Sequence, residues 1–346
     1  MALDAARAAL AGARVLVTGG TGFVGGHLLP LLLDAGAEVT CLVRASSRRD
    51  HLPAGVACAE ADFATGRGLA AALAGKDICI HMAALLFGLG WQDYLGANVA
   101  AAQHLADAIR DNAAAGHRLA RFVQVSSLSA SGPCATGKGV PDTVVPAPVS
   151  AYGWSKLMVE QVLGRALGDS MVVARPPIIY GSGDRGLLPV FQGVARAGIA
   201  VSPGAGRDFP VSCIHGRDMA RAIVHLCLPQ AQGVYHVNDG RQYTMATFCQ
   251  AMGRALGRDN VRVVRMPLPV MAVTAAASTL WGMAVSAVRR GGRAPNWNLD
   301  KYREARQAGW LCDGSRMAGE LGFVPSLSLD EGMDEAVNGY RQRGWL

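Results

Sequence analysis

The chain has 346 residues, of which 51% are hydrophobic and 17% are charged, so it is long enough for one large or two modest domains and too apolar for a disordered chain. Its formal net charge is +7, but the arginines are dispersed and no run alternates basic with aromatic residues, which favours an anionic cofactor and a small-molecule substrate over nucleic acid. The eight cysteines form no close pair, and residues 1–13 lack a basic stretch followed by an apolar one, so we expect no metal site and a location in the reducing cytoplasm.

Short β-branched runs alternate with segments of helical apolar spacing along the first half of the chain. The predicted strands are Arg14–Thr18, Glu38–Val43, 57–61, 78–82, 121–126 and Met171–Arg175. The predicted helices are 22–35, Leu69–Leu73, 94–115 and Ala151–Leu167. This alternation predicts an α/β fold with a parallel sheet covered on both faces, and right-handed crossovers make such a sheet doubly wound.

A glycine-rich loop, GGTGFVG at 19–25, follows the first predicted strand and opens the first predicted helix. Its GxxGxxG spacing permits a tight turn, a close approach of the backbone to a pyrophosphate, and close packing of helix on strand. The start of the helix offers free N–H groups to phosphates. The residues predicted to bind a dinucleotide here are Gly19, Thr21, Gly22, Phe23, Val24 and Gly25.

The end of the second predicted strand bears on which dinucleotide is bound. Residues 40–49 (TCLVRASSRR) contain no acid, and Arg44 occupies the place where an acid would hold the ribose hydroxyls of NAD. Arginine and neighbouring hydroxyls suit a 2′-phosphate, so the sequence favours NADP over NAD; the alternative is a solvated basic loop that tolerates NAD. Asp62 and Phe63, after the third strand, are predicted to meet the adenine, unless Asp62 is a surface-turn aspartate.

A tyrosine lies four residues before a lysine at the start of the predicted helix Ala151–Leu167, in the run YGWSK. Residues at this spacing share a helix face, so Tyr152 and Lys156 are expected to point at the same substrate atom. A free phenol ionises near pH ~10, and a neighbouring cation lowers that value. The pair therefore predicts a phenol that acts as an acid or base.

The regular alternation of predicted strands and helices ends after residue 175. A helix is predicted at 187–197, and a helix at 218–228 followed by a strand at 233–237 looks like a return to the sheet. We therefore predict a dinucleotide-binding domain at 1–175 with a return at about 211–238. Segments 176–210 and 239–346 are predicted to form a smaller, mostly helical substrate cap.

Taken together, these motifs resemble the extended short-chain dehydrogenase/reductase family, whose members have a Rossmann-type fold. The resemblance rests on TGGTGFVG (18–25), Asp62, HMAA (81–84), YLGANV (94–99), SS (126–127), YGWSK (152–156), RPPIIYG (175–181) and IHGRDMA (214–220). It implies that Tyr152 is the catalytic acid/base, that Lys156 lowers its pKa and binds the nicotinamide ribose, and that Ser127 polarises the substrate oxygen.

The same resemblance implies further positions along the cofactor. They are Ala83, Ala84 and Leu85 after the fourth strand, Asn98 as a brace of the active-site helix, Ser126, and Pro177, Ile178 and Ile179 near the nicotinamide amide. His81 and His215 are expected to be framework residues. Homodimers are common in the family, and one formed through the helices 94–115 and 151–167 is an expectation here.

The family spans dehydrogenases, epimerases and dehydratases. YGWSKLMVEQVL (152–163) is similar to sugar-nucleotide epimerases, but Pro-Pro-Ile-Ile and Val211 stand where those enzymes carry an asparagine and an arginine, and Arg207 lies further back. RPPIIYGSGD resembles the 3β-hydroxysteroid dehydrogenase and dihydroflavonol reductase branch. The resemblance thus implies an NAD(P)-dependent oxidoreductase that interconverts a secondary alcohol and a ketone. Alternatives are a nucleotide-sugar epimerase or dehydratase with tightly bound NAD, and an NADP(H)-binding sensor or scaffold without turnover.

Segment 267–288 is apolar, is about long enough to span a bilayer, and is followed by Arg289, Arg290 and Arg293. Three interpretations compete: helices that line a pocket in the cap, a helix on a membrane surface, and a transmembrane span. Its alanines, serines, threonines and two prolines favour the pocket. An apolar cap implies an apolar substrate.

Overall fold

Seven parallel strands form the central sheet of the computed structural model, which describes residues 7–203, 208–288 and 294–346. Within those residues the strands are β1 Arg14–Thr18, β2 Glu38–Val43, β3 Ala57–Glu60, β4 Ile78–His81, β5 Arg121–Val125, β6 Met171–Arg175, β7 Ile178–Tyr180, β8 Ile199–Ser202, β9 Pro210–Val211, β10 Cys213–His215, β11 Gly233–His236, β12 Tyr243–Thr244 and β13 Arg262–Arg265. The sheet order is β11-β6-β5-β4-β1-β2-β3. The predicted α/β, doubly wound fold is confirmed.

Helices cover both faces of the sheet and make up most of the C-terminal region. They are α1 Phe23–Asp34, α2 Leu69–Leu73, α3 Trp91–Tyr94, α4 Ala101–Ala114, α5 Leu128–Ser131, α6 Ala151–Leu167, α7 Leu188–Ala197, α8 Gly216–Leu226, α9 Met245–Ala255, α10 Leu268–Val288, α11 Leu299–Ala305, α12 Ser315–Leu321 and α13 Leu329–Gln342. A π-helical segment, Leu95–Ala100, joins α3 to α4.

The alternation of side chains along β1 divides the sheet's core in two. Val15 and Val17 face the layer of α1 and α8, while Leu16 faces the layer of α2, α4 and α6. Leu28 and Leu105, one from each layer, are fully buried, and burial of such a side chain contributes about 1.5–3 kcal/mol. Because all these strands are parallel, their carboxyl ends lie at one edge of the sheet, where the loops of the candidate site meet.

The predicted helix 94–115 is wrong in one respect: it is not a continuous α-helix. The helix begins earlier, at Trp91, and passes through the π segment Leu95–Ala100 before it continues as α4. A π turn widens the helix locally and often marks a functional site. Asn98 lies in this segment and is buried. An alanine-rich sequence carries no periodicity that would reveal such an insertion.

Three two-stranded pairs beyond the sheet were not predicted. β7 pairs with β10, β9 with β12, and β8 with β13. These strands have two to four residues, too few for an alternating pattern to stand out in a sequence. β7 follows directly after β6 of the main sheet, and its partner β10 directly precedes α8.

The C-terminal region has a core of its own between α7, α9 and α13, in which Phe191, Phe248, Met333 and Tyr340 are fully buried. The helix α12 packs instead against β11, with Met317 in the core of the sheet. The predicted division into a dinucleotide domain and a cap stays a prediction.

Helix α10 is long and apolar enough to span a membrane by length and composition, a test that core helices also pass. Only 22% of its most apolar window is buried. Val273, Leu280 and Trp281 are 69%, 67% and 71% exposed. Met271 and Ala275 form its buried side. The predicted pocket-lining role stays a prediction, and Arg207, Arg289, Arg290 and Arg293 lie outside the described residues.

Candidate active site

The glycine loop connects β1 to α1 and leaves the start of that helix open. Gly22 precedes α1, and no side chain caps the helix. Gly19 has a φ of +72°, and a Cβ there would lie 2.8 Å from the backbone nitrogen of Ala83. A Cβ on Gly25 would lie 2.2 Å from the carbonyl oxygen of Gly20. The loop therefore requires glycine at these positions, and its free N–H groups fit the pyrophosphate of a dinucleotide.

The predicted wall of the cofactor site follows β4, next to this loop. Ala83, Ala84 and Leu85 are partly exposed there, and the backbone nitrogen of Ala83 donates to the Thr18 hydroxyl at 3.2 Å. The same hydroxyl lies 2.7 Å from Nδ1 of His81. Burial, assisted by Lys156, lowers the pKa of His81 to about 3, so this histidine is neutral at physiological pH. The geometry gives His81 a framework role.

Asn98 connects this wall to the helix that carries Tyr152. Its Oδ1 accepts from the backbone nitrogen of Leu85 at 2.7 Å, and its Nδ2 donates to the Leu85 carbonyl at 3.2 Å. The same Nδ2 donates to the Ser155 hydroxyl at 3.0 Å. These bonds fit the bracing role that the resemblance implies for Asn98, and its place along the cofactor stays a prediction.

The arginines of the basic loop after β2 differ in whether they form ion pairs. Arg48 is bonded to Asp50, and Arg49 to Glu60 at 2.9 Å. Arg44 is exposed, and its guanidinium has no ion pair among the described residues. Of these three arginines, Arg44 is therefore the one whose guanidinium can accept an anionic partner without breaking an ion pair.

Asp62 lies in a turn that uses both of its carboxylate oxygens. They accept from the backbone nitrogen of Ala64 at 2.9 Å and from the Thr65 hydroxyl at 3.0 Å. These bonds hold the pKa of Asp62 below its ordinary value. The ring of Phe63 lies 5.6 Å from that of His81. The turn aspartate that the sequence left as an alternative is therefore present, and a second lone pair on each oxygen remains for an adenine amino group.

The two adjacent serines after β5 point to different partners. Ser126 donates to Glu160, which is buried and paired with Arg175 at 2.6 Å. Ser127 caps α5: its hydroxyl accepts from the backbone nitrogen of Ser129 at 3.1 Å, and it also interacts with the Tyr152 phenol. Of the two, Ser127 therefore has its hydroxyl in the candidate site, whereas that of Ser126 belongs to a buried network.

Tyr152 lies in the first turn of α6 and is 7% exposed. Ser150 caps this helix, since its hydroxyl accepts from the backbone nitrogen of Gly153 at 2.9 Å. Lys156, one turn on, donates to the Val125 carbonyl at 2.7 Å. Burial lowers the pKa of Lys156 to about 8. The structure thus places Tyr152 and Lys156 on one face of α6, beside the ends of β5 and α5.

A cation that was not predicted from the sequence acts on the Tyr152 phenol. Burial raises the pKa of Tyr152, Lys301 and Ser127 oppose that rise, and Glu304 adds to it. The Lys301 ammonium lies 4.4 Å from the centre of the Tyr152 ring. The Lys156 ammonium is directed to a backbone carbonyl, and the expectation that it lowers this pKa stays a prediction.

Helix α11 brings further side chains to this site. Asp300 accepts from the backbone nitrogens of Ala151 at 2.7 Å and Tyr152 at 3.1 Å. Glu304 accepts from the Ser150 hydroxyl at 2.7 Å. These side chains were not predicted, because no local motif shows that residues near 300 meet the start of α6.

The remaining predicted positions lie beyond β6. Pro177, Ile178 and Ile179 are partly buried, and they follow the carboxyl end of a strand in the sheet, the edge at which α/β folds bind ligands. Val211 is 1% exposed on β9, so no cation stands there for a substrate pyrophosphate. His215 is also buried, and burial lowers its pKa to about 4.

Comparison with known proteins places most of the chain in one family. Residues 15–238 match the NAD dependent epimerase/dehydratase family. A ceramide reductase of Caulobacter vibrioides is 30% identical over 340 residues, 96% of each chain. A 2-alkyl-3-oxoalkanoate reductase of Stenotrophomonas maltophilia is 26% identical over 337 residues, 92% of this chain and 97% of its own. A 3-beta-hydroxysteroid dehydrogenase of Mycolicibacterium neoaurum is 30% identical over 72% of each chain.

Solved structures share the fold at lower identity. The crystal structure of gox2253 superimposes with a TM-score of 0.76 at 19% identity, covering 96% of this chain and 99% of its own. A UDP-glucose 4-epimerase of Thermotoga maritima, solved with UDP-glucose, gives a TM-score of 0.72 at 20% identity and covers 95% and 99%. At these identities the likeness concerns the fold alone.

Proposed function

The chain belongs to the NAD-dependent epimerase/dehydratase family and is an NAD(P)-dependent oxidoreductase of the extended short-chain dehydrogenase/reductase type, and from that premise we propose that it interconverts a secondary alcohol and a ketone on a largely apolar small molecule. The observation that carries this proposal is the buried Tyr152 phenol with the Ser127 hydroxyl beside it. Two hydroxyls on neighbouring elements can bind one carbonyl oxygen together.

The chain's own residues supply the proton chemistry. In reduction, Ser127 and Tyr152 donate hydrogen bonds to the ketone oxygen, and Tyr152 gives its proton to the alkoxide that forms. In oxidation, Tyr152 takes the hydroxyl proton. NAD(P), when bound, supplies or accepts the hydride. Proton transfer by a positioned group contributes about 10²–10⁴-fold, and the braces from Asn98 and Asp300 keep the phenol in one place.

Three observations support an apolar substrate. Val211 is buried where a nucleotide-sugar enzyme would carry an arginine. Helix α10 presents a broad apolar surface. The similar curated proteins include reductases whose names specify ceramide and 2-alkyl-3-oxoalkanoate. Together these features favour a ketone on a lipid-like chain over a sugar nucleotide.

The proposal includes a preference for NADP. Arg44 supports it, because this guanidinium is exposed at the end of β2 and lacks an ion pair among the described residues, whereas Arg49 is held by Glu60. A dianionic 2′-phosphate would give Arg44 a partner and would add hydrogen bonds with charge on both sides.

The proposal also includes contact with a membrane surface through α10. Val273, Leu280 and Trp281 are more than two-thirds exposed on this helix, and Trp91 is 43% exposed on α3. Tryptophan and leucine on a helix without charged residues suit the headgroup boundary of a bilayer. The three arginines that follow in the sequence and the net charge of +7 suit anionic lipids. Such a position would let a lipid-like ketone enter from the bilayer.

The test is a comparison of substrates with the purified chain. A 2-alkyl-3-oxoalkanoate, a 3-oxosteroid and UDP-glucose are each supplied with NADPH and with NADH, and the nicotinamide absorbance and the products are followed. We expect reduced cofactor to be consumed with an apolar ketone and not with UDP-glucose. Conversion of UDP-glucose to its epimer without net consumption of cofactor would overturn the proposal.

A further inference from the structure

A lysine from the C-terminal region lies directly over the candidate catalytic ring. The Lys301 ammonium is 4.4 Å from the centre of the Tyr152 ring and 5.6 Å from that of Phe87. A cation within about 6 Å of an aromatic face is attracted to it. The same charge favours the ionised form of a nearby phenol. Lys301 therefore stabilises both the position of Tyr152 and its phenolate.

The Lys301 side chain is fixed from its own helix. Its ammonium lies 2.9 Å from a carboxylate oxygen of Glu304, three residues further along α11. Both side chains are mostly buried, at 20% and 14% exposure. Burial alone would lower the pKa of Lys301, but Glu304, Tyr152 and Asp300 outweigh that effect and raise it. The lysine thus remains charged through neutral and mildly basic pH.

Helix α11 is itself attached to the start of the catalytic helix. Asp300 accepts from the backbone nitrogens of Ala151 and Tyr152, and Glu304 accepts from the Ser150 hydroxyl. The capping residue of α6 and its first two residues are therefore held by two carboxylates of α11. The lysine between them has little freedom to leave the Tyr152 ring.

The other groups around Tyr152 are few. From α3, the ring of Tyr94 lies 5.9 Å from that of Tyr152, and burial raises its pKa beyond the ordinary range, so it contributes no charge. On α6 itself, Lys156 is directed to the Val125 carbonyl. Of the groups around Tyr152, Lys301 favours the ionised phenol and Glu304 disfavours it.

We propose that Lys301 is a positioning residue for the proton transfer, whose ammonium, held by Glu304 over the Tyr152 ring, sets the ionisation of the phenol and links it to the docking of α11 on α6. The inference rests on the proposed role of Tyr152. It adds a contribution from the C-terminal region, so that the phenol is tuned only when that region is in place.

The test follows the ionisation of Tyr152 directly, without turnover. The full chain is labelled with fluorotyrosine, and the fluorine resonances are followed against pH with and without NADP⁺. The Tyr152 signal is identified by its loss in Tyr152→Phe. The compared variants are Lys301→Met, Lys301→Arg and Glu304→Gln.

Opposite shifts are expected from the two partners. Removal of the cation in Lys301→Met should raise the apparent pKa of the Tyr152 phenol by about one unit or more, and Lys301→Arg should restore most of the original value. Glu304→Gln should lower this pKa, because an anion that disfavours the phenolate is gone while the glutamine carbonyl oxygen can still accept from the Lys301 ammonium and keep it over the ring. A general disturbance of the site would shift the Tyr152 pKa in the same direction in Lys301→Met and in Glu304→Gln.

The proposal is overturned if the Tyr152 resonance titrates at the same pH in Lys301→Met as in the unaltered chain. It is also overturned if Glu304→Gln raises the apparent pKa of Tyr152. If Lys301→Met does not fold, the downward shift expected for Glu304→Gln still tests the sign. Failure of the proposed reaction would show separately, as full turnover in Tyr152→Phe, whatever the titration gives.

Discussion

Asn98 and Ser155 are joined by a hydrogen bond of 3.0 Å between the amide nitrogen and the hydroxyl. Ser155 in turn donates to the Tyr152 carbonyl at 2.8 Å. The other end of the Asn98 amide holds Leu85 through two backbone bonds. One side chain in the π segment therefore sets the distance between the predicted cofactor wall and the helix that carries the phenol.

Loss of the Asn98 side chain should reduce kcat by more than the accompanying loss of stability can account for. Asn98→Ala leaves backbone groups of Leu85 without partners, which costs about 1–3 kcal/mol, and it frees α6 to move. Asn112→Ala is the matched control, since Asn112 is also buried and binds the carbonyls of Ala70 and Ala108. Urea unfolding and kcat are measured for both. Equal losses of kcat in the two variants would contradict the brace.

Tyr152→Phe should lower turnover by about 10²-fold or more, because the proton donor is lost while the ring remains. The affinity for NADPH, measured by fluorescence titration, should change little. Tyr302→Phe serves as the control, since the Tyr302 side chain is partly exposed and makes no hydrogen bond within the described residues. Appreciable turnover in Tyr152→Phe would reject the assignment of the phenol.

Arg44→Ala should weaken the binding of NADPH about tenfold and leave that of NADH nearly unchanged, because only NADPH carries the 2′-phosphate. Arg49→Ala, which removes an arginine paired with Glu60, is the comparison. Dissociation constants for both cofactors are measured at fixed ionic strength. An equal effect of the two variants on NADPH would remove the special role of Arg44.

The stability of the fold should fall on acidification partly because of His81. Its pKa is lowered to about 3 by burial, with Lys156 assisting, whereas an unfolded histidine titrates near 6.5. Between these values the unfolded chain binds more protons, so this contribution is complete above pH 6.5 and is lost as the pH falls towards 3.

The corresponding measurement is the free energy of unfolding in urea at several pH values. Relative to the unaltered chain, His81→Asn should flatten the decline below pH 6.5 by up to about 1.4 kcal/mol per unit. His117→Asn, at an exposed position, should leave the slope as it is. The same slope in His81→Asn and the unaltered chain would show that His81 is accessible to protons.

Substitution of exposed apolar residues on α10 should release the chain from lipid. Leu280→Glu with Trp281→Glu should lower the partition onto vesicles of mixed neutral and anionic lipid at least about tenfold, because two large apolar side chains no longer insert. Val324→Glu, at a position that is 67% exposed elsewhere, is the control. Equal sedimentation with vesicles for all variants would count against the proposed membrane contact.

Local signals made most of the fold predictable from the sequence. Buried strands such as β1 and β5 are short β-branched runs, and the glycine loop lies between the first of them and an apolar helix. The spacing of Tyr152 and Lys156 places both on one helix face without any tertiary information. The predictions of these elements agree with the structure because each element depends on residues that are close in the sequence.

The missing parts depend on residues that are far apart in the sequence or lack a pattern. Asp300 and Lys301 meet α6 only after the C-terminal region has folded, and nothing in the run LDKYREA marks that contact. The choice between Ser126 and Ser127 follows from Glu160, which takes the first of them. The direction of Lys156 depends on the Val125 carbonyl, which a sequence does not display.

The attachment of α11 to α6 has a consequence for the order in which the protein becomes active during its synthesis. A nascent chain that has left the ribosome as far as His236 contains all seven strands of the sheet and the whole glycine loop. It lacks Asp300 and Lys301, so the first N–H groups of the catalytic helix are uncapped by carboxylate and the phenol has no cation above it. Truncated products of translation would therefore have the cofactor loop of the enzyme but no catalytic activity.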